Sequence, residues 1–161
     1  MRRNALWTVG LLILGLLACG ENLEPVKAAW ATVSGTITTR VGEWKKSQGE
    51  AQAALKALPA LAPTDMAGHA MRKQLDGTLA REAKAIADAE SLISAGRASY
   101  GQALGTRKVA NVQKVIDDNN ARFTALEKTF SDSSAQSSAL LARLGAHAEQ
   151  APSPAGASAG R

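Results

Sequence analysis

Two histidines and two methionines are the side chains in this sequence best suited to bind a transition metal. Imidazole and thioether groups suit copper, and two imidazoles with a carboxylate such as Asp65 or Glu149 suit zinc. No local spacing joins the two histidines, so they meet only if the chain folds back on itself. Two histidines without a metal are the simpler interpretation. The candidate metal ligands are Met66, His69, Met71 and His147.

No other pattern in the sequence indicates catalysis. The chain contains no glycine-rich phosphate loop, no Cys-x-x-Cys, no His-Glu-x-x-His and no Gly-x-Ser-x-Gly. Basic and acidic residues are interleaved along the chain, which is typical of solvated helix faces rather than of nucleic-acid binding. We therefore expect a protein that is not an enzyme, with no cofactor and no nucleic-acid partner.

Apolar residues at seven-residue spacing predict a long first helix over about residues 24–58. Pro25 fits the first turn of this helix, and Pro59 ends it. We interpret the two tryptophans of the stripe as core residues rather than as a surface on which a ligand stacks. The stripe consists of Leu23, Trp30, Ile37, Trp44, Ala51 and Leu58.

Glycine recurs at the same spacing on the opposite side of this helix, at Gly35, Gly42 and Gly49. Each glycine in a helix interior costs up to about 1 kcal/mol relative to alanine. One explanation is a smooth face that lets a helix of a second subunit or of a partner approach closely, which makes these glycines candidate interface residues. The other explanation is a solvated face with no partner, and the sequence leaves both open.

Two further helices are predicted, at about 66–104 and 107–148. In the second helix, Gly96, Gly101 and Gly105 are expected to weaken the last turns.

In the third helix, core positions alternate steps of three and four over five heptads, which is typical of a coiled coil. Asn119 is a candidate for fixing the pairing register. The serine-rich segment 131–138 is expected to stay helical but to pack loosely. The seam of the third helix consists of Val109, Val112, Ile116, Asn119, Phe123, Leu126, Phe130, Ser133, Ser137, Leu140, Leu144 and His147.

Three helices of similar length joined by short turns predict an all-α fold, an up-down-up antiparallel three-helix bundle with coiled-coil-like packing. The bundle is expected to span residues 23–148, after a short tether at residues 19–22. Residues 149–161 are rich in alanine, serine and proline and are expected to form a disordered tail. This topology brings the start of the second helix beside the end of the third, and so brings the two histidines to one end.

The N-terminus has the pattern of an export signal. Arg2 and Arg3 precede an apolar stretch from Ala5 to Ala18. That stretch is shorter than the roughly 20 residues that a membrane-spanning helix needs.

The end of this stretch, Leu16-Leu17-Ala18-Cys19, resembles the lipobox of bacterial lipoproteins. The resemblance implies removal of residues 1–18 by cleavage between Ala18 and Cys19. It also implies diacylglyceryl transfer to Cys19 and acylation of the new amino group by a fatty acid such as palmitate. Gly20 follows the cysteine where an aspartate would imply retention at the inner membrane, so the outer membrane is implied for a Gram-negative cell.

Loss of the signal changes the charge and the cysteine chemistry of the chain. The 161 residues carry a net charge of +5, and the mature part keeps 17 basic and 14 acidic residues. Cys19 is the single cysteine, so stability has to come from packing without disulfides.

We expect a non-enzymatic, lipid-anchored helical protein that acts as an envelope scaffold or protein-interaction module, with a protein partner or a second copy of itself. The alternative is a periplasmic ligand or metal sensor that uses the histidines and methionines.

Overall fold

A computed structural model describes residues 21–150, which form three helices. They are α1 (Glu24–Ala57), α2 (Met66–Gly105) and α3 (Val109–Gln150). The helices pack against one another, and this part of the chain contains no strand, so the predicted all-α three-helix bundle is confirmed. The predicted signal peptide, its cleavage site and the lipidation site Cys19 lie outside the described residues.

The helix bounds differ from the predicted ones by one or two residues. α1 ends at Ala57 because Leu58, which precedes a proline, is extended with φ −66° and ψ 142°. The turn between α2 and α3 includes Arg107, which has a φ of 56°. α3 continues through residues 149 and 150, so the prediction that a disordered tail begins at residue 149 is wrong for these two residues. Residues 151–161 of the predicted tail are not among the described ones.

The core runs along the bundle as three apolar clusters. In the middle cluster Trp44 of α1 stacks on two rings of α3, with centroids 5.2 Å from Phe123 and 4.7 Å from Phe130. Toward the start of α1, the half-buried Trp30 stacks on Tyr100 of α2 at 4.6 Å. The interpretation as a core residue is therefore confirmed for Trp44, whereas Trp30 packs at the edge of the core and stays partly exposed.

Small and polar residues lie between α2 and α3, and these two helices contact each other more extensively than either contacts α1. Small side chains allow the two backbones to approach closely. The serine-rich segment 131–138 is helical throughout, as predicted. The expectation that it packs loosely is wrong, because two of its serines belong to this buried layer. The buried polar side chains of the layer are Thr78 and Glu82 of α2 and Ser133 and Ser137 of α3.

Asn119 contributes to the pairing of α2 and α3 through its shape. Its Nδ2 donates a hydrogen bond to the Val115 carbonyl of its own helix, at 2.8 Å. Its Oδ1 packs on Gly96, where a Cβ atom would lie only 2.4 Å from that oxygen and 3.1 Å from Cη2 of Trp30. The glycines of α2 do not end the helix early, since it continues to Gly105. Gly96 instead permits close contact with α3.

Candidate functional site

The start of α2 and the end of α3 are joined by an aspartate–histidine pair. Asp65 is the N-cap of α2, and its Oδ1 accepts a hydrogen bond from the Gly68 backbone N–H at 2.9 Å. Nε2 of His147 lies 2.9 Å from Oδ1 and 2.8 Å from Oδ2 of the same carboxylate. The Gly68 N–H, followed by the hydrogen bond with His147, holds the pKa of Asp65 below its usual range. The pair links the start of α2 to the end of α3.

The other predicted metal ligands lie at the same end of the bundle but in different environments. His69 Nε2 lies 3.2 Å from the Ala62 carbonyl in the α1–α2 loop. Met71 packs against the apolar cluster at this end, whereas Met66 is 78% exposed. The topology thus brings the histidines to one end as expected, and only His147 contacts the capping carboxylate. Among residues 21–150, no group of three or more histidine, cysteine, aspartate or glutamate side chains is placed to hold a metal ion.

The candidate interface glycines Gly35, Gly42 and Gly49 are exposed on the solvent side of α1. A Cβ atom at any of the three would meet no other atom within 4 Å. No contact within the bundle therefore requires a glycine at these positions, in contrast to Gly96. The three glycines lie exposed along one side of α1, and we call these three positions the glycine face.

At the opposite end of the bundle, the residues that precede α1 cap two helices. The Glu21 carboxylate accepts a hydrogen bond from the backbone N–H of Val109, the first residue of α3. Asn22 Oδ1 accepts one from the Glu24 backbone N–H at 3.0 Å. A carboxylate at a helix N-terminus also interacts favourably with the positive end of the helix dipole. The short segment before α1 is thereby fixed to the start of α3, a contact that the sequence analysis missed.

A buried carboxyl in the middle of α2 was also missed. Glu82 is 1% exposed, and its Oε1 lies 2.6 Å from Oγ of Ser137 on α3. Burial raises the pKa of Glu82, and the hydrogen bond from Ser137 opposes that shift. Glu82 lies three residues after Leu79 and four before Ile86, so it continues the apolar spacing of α2. This spacing could have predicted that Glu82 is buried.

The Ser137 hydroxyl has two neighbouring acceptors and a single proton. Its Oγ lies 2.6 Å from Glu82 Oε1 and 3.0 Å from the Ser134 carbonyl oxygen. The hydroxyl donates to the Glu82 carboxyl group and, as a shared hydrogen bond, to the Ser134 carbonyl. Burial thus raises the pKa of Glu82, while Ser137 gives the buried carboxyl group a hydrogen-bond donor from α3.

None of the helices in residues 21–150 combines the length and the apolar character needed to cross a membrane. Charged side chains occupy their outer faces and form pairs one turn apart, such as Lys114–Asp118 at 2.7 Å.

Comparison of the chain with protein-family models, with curated proteins and with solved structures found no match.

Proposed function

We propose that this chain is an exported lipoprotein that is anchored to a membrane through Cys19 and acts as a non-enzymatic envelope scaffold or protein-interaction module. The lipobox-like sequence supports the anchor. The observation that carries the proposal is the contact of Glu21 with Val109, because it lies only two residues beyond Cys19. Acyl chains on Cys19 would then lie directly at one end of a bundle whose first helix is about 50 Å long.

Anchoring by two or three acyl chains is effectively stable at about 0.8 kcal/mol per buried methylene. Because Glu21 and Asn22 are bound to helix ends, the anchor would hold the bundle close to the bilayer in a restricted orientation. The end that carries Asp65 and His147 would point away from the membrane. In a Gram-negative cell we place the protein at the outer membrane, on its periplasmic or surface face.

The glycine face is the surface that we assign to a helical partner or to a second copy of the chain. Helices pack at axial distances of 8–10 Å, set by the side chains at the contact, so glycine at these three positions would allow a closer approach than a larger residue. Leaving glycine at three exposed positions costs helix stability of up to about 1 kcal/mol each. A partner helix that packs on this face would compensate that cost.

The anchor is tested by mass spectrometry of the protein isolated from its native cell. We expect a mature chain that begins at Cys19 and carries diacylglycerol on the sulfur and an acyl chain on the amino group. Cys19→Ser should abolish lipid attachment and release the protein from the membrane fraction. An unmodified Cys19 in the mature protein would refute the lipoprotein proposal.

The glycine face is tested with Gly42→Leu, which places a bulky side chain in open space and should leave the fold intact. We expect this variant to lose self-association in sedimentation analysis, or partner capture in crosslinking of intact cells. Ala121→Leu is the matched control, because Ala121 is an exposed small residue on α3. If Gly42→Leu and the control behave alike in both assays, the glycine face is not the interface.

The alternative function, a periplasmic ligand or metal sensor, draws its support from the position of His69 and His147 at one end of the bundle. Both histidines contribute to lowering the pKa of Asp65. Copper and zinc titrations of the Cys19→Ser protein separate the two functions. Stoichiometric binding that is lost in His69→Ala would replace the scaffold proposal by the sensor.

A further inference from the structure

An open groove between α2 and α3 carries three cations, from Lys73, Arg81 and Arg143, and its lining contains no aspartate or glutamate. The three side chains are exposed, and none forms an ion pair with any residue in the described range 21–150. Three lysines of the same helices pair with an aspartate one turn away, as in Lys84–Asp88 at 2.7 Å and Lys128–Asp132 at 2.8 Å, and no such partner lines the groove. The groove therefore has a local excess of positive charge.

The guanidinium of Arg81 is oriented across the groove by neutral partners. Its Nη2 donates to Gln136 Oε1 on α3 at 2.9 Å and to Thr78 Oγ1 at 3.2 Å. Thr78 is held as an acceptor because its own hydroxyl donates to the Gln74 carbonyl at 2.9 Å. These contacts fix the position of Arg81 but leave its charge uncompensated. The N–H groups of its Nε and Nη1 can still donate hydrogen bonds to a carboxylate or a phosphate.

The cations lie at two levels of the groove, separated by an uncharged floor. Lys73 and Arg81 are eight residues apart on α2, about 12 Å along the helix axis. Because α3 is antiparallel and Gln136 faces Arg81, Arg143 lies toward the Lys73 level. The floor between the two levels includes Gly77 and the apolar Leu140, and a Cβ atom at Gly77 would meet no atom within 4 Å. Gly77 therefore faces open space in the groove.

We propose that this groove binds an extended organic anion that has an acidic group at each end and an apolar middle. One acidic group would pair with Lys73 and Arg143, and the other with Arg81. The groove has a volume of about 510 Å³ and is open to solvent, so a bound anion would stay partly exposed. This binding activity is additional to the scaffold function, and it depends neither on the lipid nor on the glycine face.

The test is a titration of the 15N-labelled full protein, purified as the cell produces it, with the long dicarboxylate sebacate. We expect saturable chemical-shift changes at the Gly77 amide and an affinity at least about tenfold higher than for acetate or inorganic phosphate. Arg81→Gln and Arg143→Gln should each weaken sebacate binding by about tenfold, since each removes one charged hydrogen-bonding partner. Arg143→Gln is the cleaner variant because Arg143 makes no side-chain hydrogen bond within the described range.

Arg122→Gln is the matched control, because it removes the same charge from an exposed α3 position outside the groove. It should leave sebacate affinity unchanged. The proposal is overturned by an absence of saturable binding to the unmodified protein, or by equal losses in Arg122→Gln and Arg143→Gln, which indicate general electrostatic attraction. An affinity for sebacate no higher than that for acetate would overturn the two-ended site.

Discussion

Gly96→Ala tests the close approach of α2 and α3 at a single atom. The new Cβ would lie 2.4 Å from Asn119 Oδ1 and 3.1 Å from Trp30 Cη2, and the first distance is far inside van der Waals contact. Asn119 is buried and is held by its hydrogen bond to the Val115 carbonyl at 2.8 Å. The substitution therefore forces Asn119, the helix backbone or both to move.

The size of the effect follows from the contacts that are disturbed. Loss of the buried Asn119 hydrogen bond costs about 1–3 kcal/mol. Displacement of Trp30 weakens its stack on Tyr100, which is worth about 0.5–1.5 kcal/mol. The higher helix propensity of alanine returns about 1 kcal/mol. We expect a net loss of about 1–3 kcal/mol in the free energy of unfolding, in the range of other overpacked sites.

Urea unfolding followed by far-UV circular dichroism measures this loss, and Gly42→Ala is the control. Gly42 is also within a helix but has open space around it, so alanine there should stabilise the protein by about 0.5–1 kcal/mol. In an Asn119→Ala background the main clash is absent, and the Gly96→Ala penalty should shrink by at least about 1 kcal/mol. Stabilisation by Gly96→Ala equal to that by Gly42→Ala, or an unchanged penalty in the double variant, would refute the packing argument.

Three further substitutions test the polar contacts and the core. Because burial raises the pKa of Glu82, the stability linked to its proton is lost as the pH rises through the folded-state pKa. In urea unfolding, Glu82→Gln should therefore gain stability relative to the unmodified protein as the pH rises above about 4, and a relative loss of stability with rising pH would contradict this. The pKa of Asp65 is shifted in the opposite direction, downward. Its contribution to stability is therefore present at neutral pH and is lost as the pH falls through the folded-state pKa. Asp65→Asn keeps a capping oxygen but should lower the Tm at neutral pH and not in strong acid, whereas an unchanged Tm at neutral pH would exclude a stabilising pair with His147. Trp44→Ala should cost about 3–5 kcal/mol in urea unfolding, because the ring fills the middle of the core; a cost below about 1 kcal/mol would mean that the core packs differently.

The sequence alone was sufficient for the fold class because helical periodicity determines which residues face inward. Every seam position predicted for α3 is buried or half-buried. The positions of Pro25 and Pro59 also marked the two ends of α1 to within two residues, since proline is tolerated only in the first helical turn. These properties depend on interactions within one or two turns, which the local sequence encodes directly.

The candidate sites depended on topology and were predictable only in part. That His69 and His147 lie at the same end of the bundle follows from the up-down-up order of the helices. That His147 contacts the Asp65 cap while His69 faces a loop carbonyl depends on the shift of α3 along α2. No residue pattern within one helix determines that shift, because it results from the packing of both surfaces together.

Glycine shows most clearly which properties were local and which were tertiary. From the sequence, Gly42 and Gly96 are the same residue at the same cost to an α-helix. In the folded bundle Gly42 faces open space, as does Gly77 in the cationic groove, whereas Gly96 accommodates Asn119. Periodicity determined the helices and their inner faces, but the axial alignment of α2 against α3 decided the roles of Gly96, Glu82 and the groove, because each of these depends on which atoms of the other helix lie opposite.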